Sequence, residues 1–334
     1  MAEMVYATFG HQNRGLQVAQ SNGPVTVQFN LPPAKLLSLM SFFDRQGIPE
    51  RVLKDATRAR SLNVAVDWKF GDGGGKPNDR NEDEFEMHGL VQLSTRIWLK
   101  AYKQQETFKQ QYIKQRAESF PPGEYQNWGK CQGLFAHVQV ALDYRPDENT
   151  AERWATLLHN GGWYAWSQGR YDIAEQMADK AREVREKKLG KGDLVTLASI
   201  ELFGLILKDR GRWEEAKKLF MQVMETRKTK LGAEHPDTLT SRANLASIYR
   251  NQGQWEEAEK LFMQVMETRK TKLGAEHPDT LTSMAHLSFT WRDQGRHSDA
   301  LALMRDCAQA RQRIIVHEAC NKLYRRFKSR IKPP

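Results

Sequence analysis

Cysteine is scarce in this chain of 334 residues: Cys131, Cys307 and Cys320 are the whole supply. They share no metal-type spacing, and an odd count does not make a disulfide framework. A reducing, cytoplasmic setting is therefore expected. The opening "MAEMVYATFG" has no basic segment running into an apolar one, so no secretory signal is read there. No run approaches the ~20 apolar residues that a membrane span needs, and a soluble protein is expected. A phosphate-cradling G-x-x-x-x-G-K-[ST] loop is missing too. The nearest stretch, "GDGGGKP", has three residues between Gly71 and Gly75, and Pro77 stands where the hydroxyl belongs. There is no Ser-His-Asp order, no nucleophile elbow, and no pair of carboxylates away from exposed helix faces. Hydrolase or transferase chemistry is thereby disfavoured, and neither a cofactor nor a metal is expected.

Charge of one sign does not dominate either. Lys and Arg number 51 against 41 Asp and Glu, a net of +10, but Arg311–Pro334 alone holds eight basic residues and one Glu. The surplus is a property of the tail, and no nucleic-acid partner is expected. Apolar residues make up 40% and aromatics 10%, which suits a packed protein.

What the sequence has in abundance is itself. From Trp213 to Ser241 and from Trp255 to Ser283 it differs only at Lys217 against Glu259. Gly169, Gly211, Gly253 and Gly295 are each forty-two residues apart, as are Ala174, Ala216, Ala258 and Ala300. Four units are present. Within one, Trp213, Ala216, Leu219, Phe220, Val223 and Met224 recur at steps of three and four, an amphipathic helix. It ends at "KLG", where Gly232 is expected to supply a left-handed cap. Pro236 and Asp237 then suit the first turn of a second helix, which carries Leu239, Leu245, Ala246 and Tyr249. One helix pair cannot bury its apolar faces alone, whereas stacked pairs can, so a mainly α solenoid with a concave groove is expected.

Leu245-Ala246-x-x-Tyr249-x-x-x-Gly253, followed by Ala258 and Phe262, resembles the tetratricopeptide repeat. The forty-two-residue length and "LGxEHPDTL" are similar to its kinesin-light-chain type. The resemblance covers residues 151–313, and in the first unit Gly161, Gly162 and Ala165 stand where larger residues are usual. It implies that the first helix of each pair lines a groove for a protein or peptide ligand. By position the groove residues are Asn160, Trp163, Trp166, Lys208, Asp209, Asn244, Ser247, Arg250, Asn251, Phe289 and Arg292. Asn160 and Asn244 fall where related repeats hold a peptide backbone, and the fourth unit has His286 there. Lys208, Arg250 and Arg292 would attract acidic groups, and aromatics give anchoring area at small entropic cost. Each of these is equally readable as an ordinary solvated or core residue. His235 and His277 recur with the repeat and are read as cap or turn residues, since no other metal ligands converge on them.

Residues 34–103 do not repeat. "LLSLMSFFDRQGIPE" is followed by a Gly-rich turn and then by "FEMHGLVQLSTRIWL". The second reads as a short strand, Phe85 to Met87, entering a helix with Leu90, Val91, Thr95 and Trp98 on one face. These stretches resemble the winged-helix region that closes the NB-ARC module of fungal NLR-type STAND proteins. "FPPGEYQNWGKCQGLFAHVQVAL", within residues 104–150, is similar to the helical connector that follows it. The resemblance implies that Met87, His88 and Gly89 occupy the place of a nucleotide-sensing "MHD" motif, with Gly in place of Asp. The nucleotide-binding core itself is missing from this sequence.

At one end, residues 1–33 hold "FGHQNRGLQVAQSNGPVTVQFNLPP". Asn22-Gly23 and the alternating Val25, Val27 and Phe29 read as a turn and a strand. The segment is similar to short leaders of fungal NLR-type proteins and offers self-association, although Pro24, Pro32 and Pro33 oppose extended stacking. A disordered leader with one transient strand is the other reading. At the other end, residues 314–334 form a basic helix or tail that breaks the repeat, expected to cap the array. Two functions remain open from the sequence: a non-enzymatic scaffold or adaptor holding a partner in its groove, and a signalling receptor in fungal immunity or non-self recognition.

Overall fold

The computed structural model describes residues 7–9, 16–20, 23–27, 40–42, 48–49, 84–85 and 89–328. The chain divides into two compact units, Met1–Val184 and Arg185–Pro334. Met87, His88, Phe29, Pro32, Pro33 and the 71–77 glycine stretch lie outside the described residues, as does most of the span read as winged-helix-like.

In the first unit, β1 (Ala7–Phe9), β2 (Leu16–Gln20) and β3 (Gly23–Val27) form an antiparallel sheet in that order. Val18 faces Val25 and Ala7 across it. β3 takes in Val25 and Val27 of the expected strand and pairs with β2, while Phe29 lies outside the described residues. β4 (Ile48–Pro49) and β5 (Glu84–Phe85) make a two-residue ladder, Ile48 opposite Phe85. α1 (Gly89–Ala101) follows, so Gly89 opens a helix and does not close a turn. Among its described side chains Thr95 and Leu99 are buried, whereas Leu93 and Ile97 face outward.

α2 (Gln105–Ser119) and α3 (Trp128–Val140) both pack on α4 (Ala151–Ser167). Tyr112, Ile113, Leu134, Val138, Leu157 and Leu158 fill the space between them. Polar ties fix this core at its margins, because a buried donor left unmade costs about 1–3 kcal/mol. Trp154 Nε1 donates to the Ala141 carbonyl at 2.7 Å, and the Tyr144 hydroxyl to that of Phe42 at 2.9 Å. Arg96 Nε donates to the Ser41 carbonyl at 2.6 Å, so residues 40–42 are fastened to α1. The small residues of the first repeat have a packing reason. A Cβ at Gly161 would stand 2.8 Å from Val138 Cγ1 and 3.0 Å from Met177 Sδ, so glycine lets α4 meet α3 and α5 (Tyr171–Leu189) closely.

The second unit contains the end of α5, then α6 (Leu194–Asp209), α7 (Trp213–Leu231), α8 (Pro236–Asn251), α9 (Trp255–Leu273), α10 (Pro278–Asp293) and α11 (His297–Lys328). From α6 on, each helix packs on the next, and α6 also touches α8, as α8 touches α10. Helix pairs α6/α7, α8/α9 and α10/α11 therefore stack in series, a solenoid built from the repeat. The apolar stripe of α7 explains the stacking: Ala216, Phe220 and Val223 are buried, as are their copies Ala258, Phe262 and Val265 on α9.

The repeat also sets the helix ends. Asp193 caps α6 by accepting from Val195 N at 2.8 Å. His235 and His277 do the same for α8 and α10, each Nδ1 accepting from the amide two residues on at 3.2 Å, with Pro236 and Pro278 next in line. Gly232 differs from expectation: its φ of 96° is positive, but ψ is 159°. That is extended backbone on the glycine side of the map, not the left-handed helical cap, and it turns the chain straight into the Asp/His-capped entry of the next helix. α11 continues without a break past residue 314, where the repeat pattern stops.

Candidate functional site

The helices α6, α8 and α10 are the first members of their pairs, and their mutual contacts give the second unit a shared face. Eight of the eleven sequence-predicted groove residues belong to these helices. At the C-terminal ends of these helices, Lys208, Arg250 and Arg292 bring three cations beside Asp209, Asp293 and Phe289. Lys208 Nζ is 3.2 Å from Asp209 Oδ1, and Arg292 Nη2 is 2.7 Å from Asp293 Oδ1. Arg250 Nε stands 3.8 Å from the other oxygen of Asp293. Arg250 and Arg292 both lie over the Phe289 ring, at 5.9 Å and 5.4 Å from its centre. Phe289 is itself exposed, an aromatic with two guanidinium groups near its ring at the surface. Asn251 sits half-buried one residue after Arg250.

Two other predicted residues have partners inside the fold. Asn244 Nδ2 donates to Glu201 Oε1 at 2.9 Å, and Ser247, buried, donates to the Ala243 carbonyl at 3.0 Å. In the first unit, Asn160 Nδ2 donates to the Phe120 carbonyl at 3.4 Å. Trp163 and Trp166 meet edge to face, ring centres 5.0 Å apart. The chain's own residues 120–123 run against this part of α4: a Cβ at Gly123 would fall 2.5 Å from Tyr164 N and 3.0 Å from Trp163 Cβ. Asn160 thus holds a backbone carbonyl of the same chain.

Sequence reasoning overlooked an internal arginine series. Arg185, Arg227 and Arg269 are all buried, forty-two residues apart. Their Nη1 atoms donate to Ser199, Ser241 and Ser283 Oγ at 2.8, 2.7 and 2.9 Å. The same atoms reach the carbonyls of Val195, Asp237 and Asp279 at 3.5, 3.2 and 3.3 Å. Each arginine thereby clamps its helix to the first turn of the following one. The signal was available: Arg227 extends the α7 stripe at Phe220, Val223, Arg227, with a serine fourteen residues later in every copy.

Arg227 has one partner more. Glu201 Oε2 lies 2.9 Å from Arg227 Nη1, and both side chains are nearly out of solvent. Burial pushes the Glu201 carboxyl above its usual range, opposed by the Arg227 charge and by hydrogen bonds from Arg227 and Asn244. Further along the stack, His286 lies flat against Phe262, ring centres 5.3 Å apart and planes 3° from parallel. Burial, with Arg250, Lys208 and Arg269 nearby, holds its imidazole down to about 4, so it is neutral at pH 7. Among the described residues no cluster of three metal-ligating side chains occurs, and no helix is long and apolar enough to cross a membrane.

The tetratricopeptide repeat family model matches residues 154–229, 196–271 and 237–313. A nucleotide-binding leucine-rich repeat (NLR)-like protein of Hyaloscypha variabilis is 32% identical over 171 residues, half of this chain. The chain spans 17% of that relative's length. Among solved structures, a putative kinesin light chain with nearly identical TPR-like repeats from Podosopora anserina, in its Q17M form, is similar at 22% identity. The similarity covers 65% of this chain and 96% of that one, with a TM-score of 0.48. BtubC (BKLC) from P. vanneervenii is similar at 14% identity over 67% of this chain and 85% of its own, TM-score 0.45. Residues 154–313 match the tetratricopeptide repeat by sequence, and those of the second unit from α6 on are built as its stacked helix pairs.

Proposed function

We propose that the protein is a non-enzymatic scaffold whose repeat array holds a segment of a partner protein. The observation that carries this reading is the Lys208, Arg250, Phe289 and Arg292 group on the shared face of α6, α8 and α10. An aromatic surface flanked by guanidinium groups suits a segment that offers carboxylates and apolar side chains, through charge-assisted hydrogen bonds and ring contacts. Asn251 and Asp209 border it, while Asn244 and Ser247 shape its floor. On α4, Asn160, Trp163 and Trp166 make a second such surface in the first unit, where the chain's own 120–123 segment supplies an example of a held backbone. The test compares the intact chain with a variant carrying Arg250→Ala, Phe289→Ala and Arg292→Ala, as bait in quantitative pull-downs. Loss of specific partners with retained helicity supports the reading; an unchanged partner set refutes it.

A second reading is favoured by the NLR-like relative. Here the repeats are the sensor of a signalling receptor, residues 34–103 a winged-helix-like remnant with Met87, His88 and Gly89 in the place of the nucleotide sensor, and residues 1–33 a self-associating effector. Saturable ATP or ADP binding by the purified chain at micromolar concentration supports it, and its absence counts against a nucleotide switch in this chain.

A further inference from the structure

The internal repeat allows each side chain of one unit to be compared with its counterpart in the next. In the α6–α7–α8 layer, the carboxylate of Glu201 is held by Arg227 Nη1 at 2.9 Å and Asn244 Nδ2 at 2.9 Å. Forty-two residues on, Arg269 and His286 stand where Arg227 and Asn244 stood, but the counterpart of Glu201 is Ala243. The later layer keeps the cation and a polar partner and has a methyl group in place of the carboxylate.

The consequences appear in the hydrogen bonding. Arg269 clamps Ser283 as its twin clamps Ser241, and its Nη2 turns to the Thr240 hydroxyl at 3.1 Å, where the earlier layer has Ala198. Among the described residues no carboxylate lies within ion-pair distance of the buried Arg269, and the Asp279 carboxylate acts on it only through its charge. His286 Nδ1 and Arg250 Nη1 are also shut off from solvent without a hydrogen-bond partner. A buried cation and two unmet polar atoms at one spot are costly, because removing or lacking one member of a buried pair leaves the other's desolvation uncompensated. Thr240 is exposed and Ala243 is half-buried against the Ala246, Phe262 and Leu287 cluster, so the spot lies just beneath the surface.

We infer that Arg269, Arg250 and His286, around Ala243, form a seat for a carboxylate from an acidic segment of a partner protein, which takes the role that Glu201 plays in the preceding layer. This deepens, and rests on, the reading of the α6–α8–α10 face as a partner surface. It differs from attraction by surface lysines and arginines, because it is a single position with a built counterpart one repeat away. Lys208, close enough to depress the His286 imidazole, adds to the positive field over it.

The seat can be filled from within. Ala243→Glu restores the Glu201 arrangement in the second layer and should exclude an outside carboxylate. Gln222→Glu makes the same change of charge on the exposed side of α7 and leaves the seat open. A fluorescently labelled hexaglutamate peptide is titrated with each full-length protein at low salt and followed by anisotropy, with helicity checked by circular dichroism. The expected result is binding by the unaltered chain, weakened at least about tenfold by Ala243→Glu, the loss of one desolvated charge pair, and no more than about threefold by Gln222→Glu. Equal weakening by the two variants overturns the seat while leaving the partner surface intact, since it shows that overall charge alone is read. Failure of the unaltered chain to bind the peptide overturns the seat as well, and the pull-down comparison then decides the broader reading independently.

Discussion

Glu259 Oε1 accepts the indole N–H of Trp291 at 2.6 Å, at the place where its twin Lys217 lies 4.6 Å from the centre of the Tyr249 ring. This is the one position at which the duplicated segments differ. The difference is matched across the helix interface: Glu259 also accepts from Gln294 Nε2 and Arg296 Nη1, each at 2.8 Å. Arg296 has Gln254 as its counterpart. A carboxylate meets an N–H donor and a guanidinium, while an ammonium meets a tyrosine face. Each forty-two-residue unit, counted from Trp213 or Trp255, therefore contains both halves of its own match.

Glu259→Lys should destabilise the array by about 1–3 kcal/mol, since it removes the acceptor for three donors and sets two cations together. Lys217→Glu removes only a cation–π contact, worth about 0.5–1 kcal/mol at a partly exposed site. Urea denaturation of the two variants checks the asymmetry; equal losses would show that the matching carries no energy.

Removing the buried arginines should separate the layers. Arg227→Met leaves Glu201 without its cation in a buried place and should cost about 3–5 kcal/mol. Arg269→Met removes a cation with no carboxylate within ion-pair distance, so its cost should stay within about 1–2 kcal/mol, the loss of hydrogen bonds partly offset by relief of desolvation. Midpoints of denaturant unfolding measure both.

His286 makes stability depend on pH. Burial lowers its imidazole to about 4, below the ordinary value of about 6.5, so between these values the unfolded chain binds the extra proton. Stability from this residue is complete above about pH 6.5 and falls as the pH drops toward 4, by at most about 3 kcal/mol. His286→Asn installs the residue of the preceding repeat and should flatten that limb. Denaturant midpoints taken from pH 7.5 to 4.5 test this, and parallel curves for the two proteins would refute it.

Gly232 and Gly274 share positive φ with ψ near 160°, a region essentially reserved for glycine. Gly232→Ala should cost about 1–3 kcal/mol, although a Cβ there meets no neighbouring atom. The loss is conformational, so it should persist in a variant with surrounding side chains shortened. Thermal unfolding of Gly232→Ala alone and in the Lys230→Ala background checks it.

How much of this was written in the sequence varies from residue to residue. The stripe of Ala216, Phe220 and Val223 was legible because burial on a helix has a fixed period, and the period was repeated often enough to be counted. His235 was legible as a cap because a cap is local, its partner only two residues away. Glu201 was not: its partners come from α7 and α8, at separations no local pattern announces. The fate of Asn160 was hidden for the same reason, since the carbonyl it holds belongs to Phe120, on a segment forty residues earlier.

The sequence by itself determined that helices form, where they begin and end, and that they come in pairs needing neighbours, since each of these follows from backbone propensities and short-range periodicity. Only the tertiary structure decided which polar residues of those pairs are satisfied from within and which stay unmet. That depends on charges brought together by stacking, where loss of solvent gives weight to the presence or absence of one carboxylate, Glu201 in one layer against Ala243 in the next.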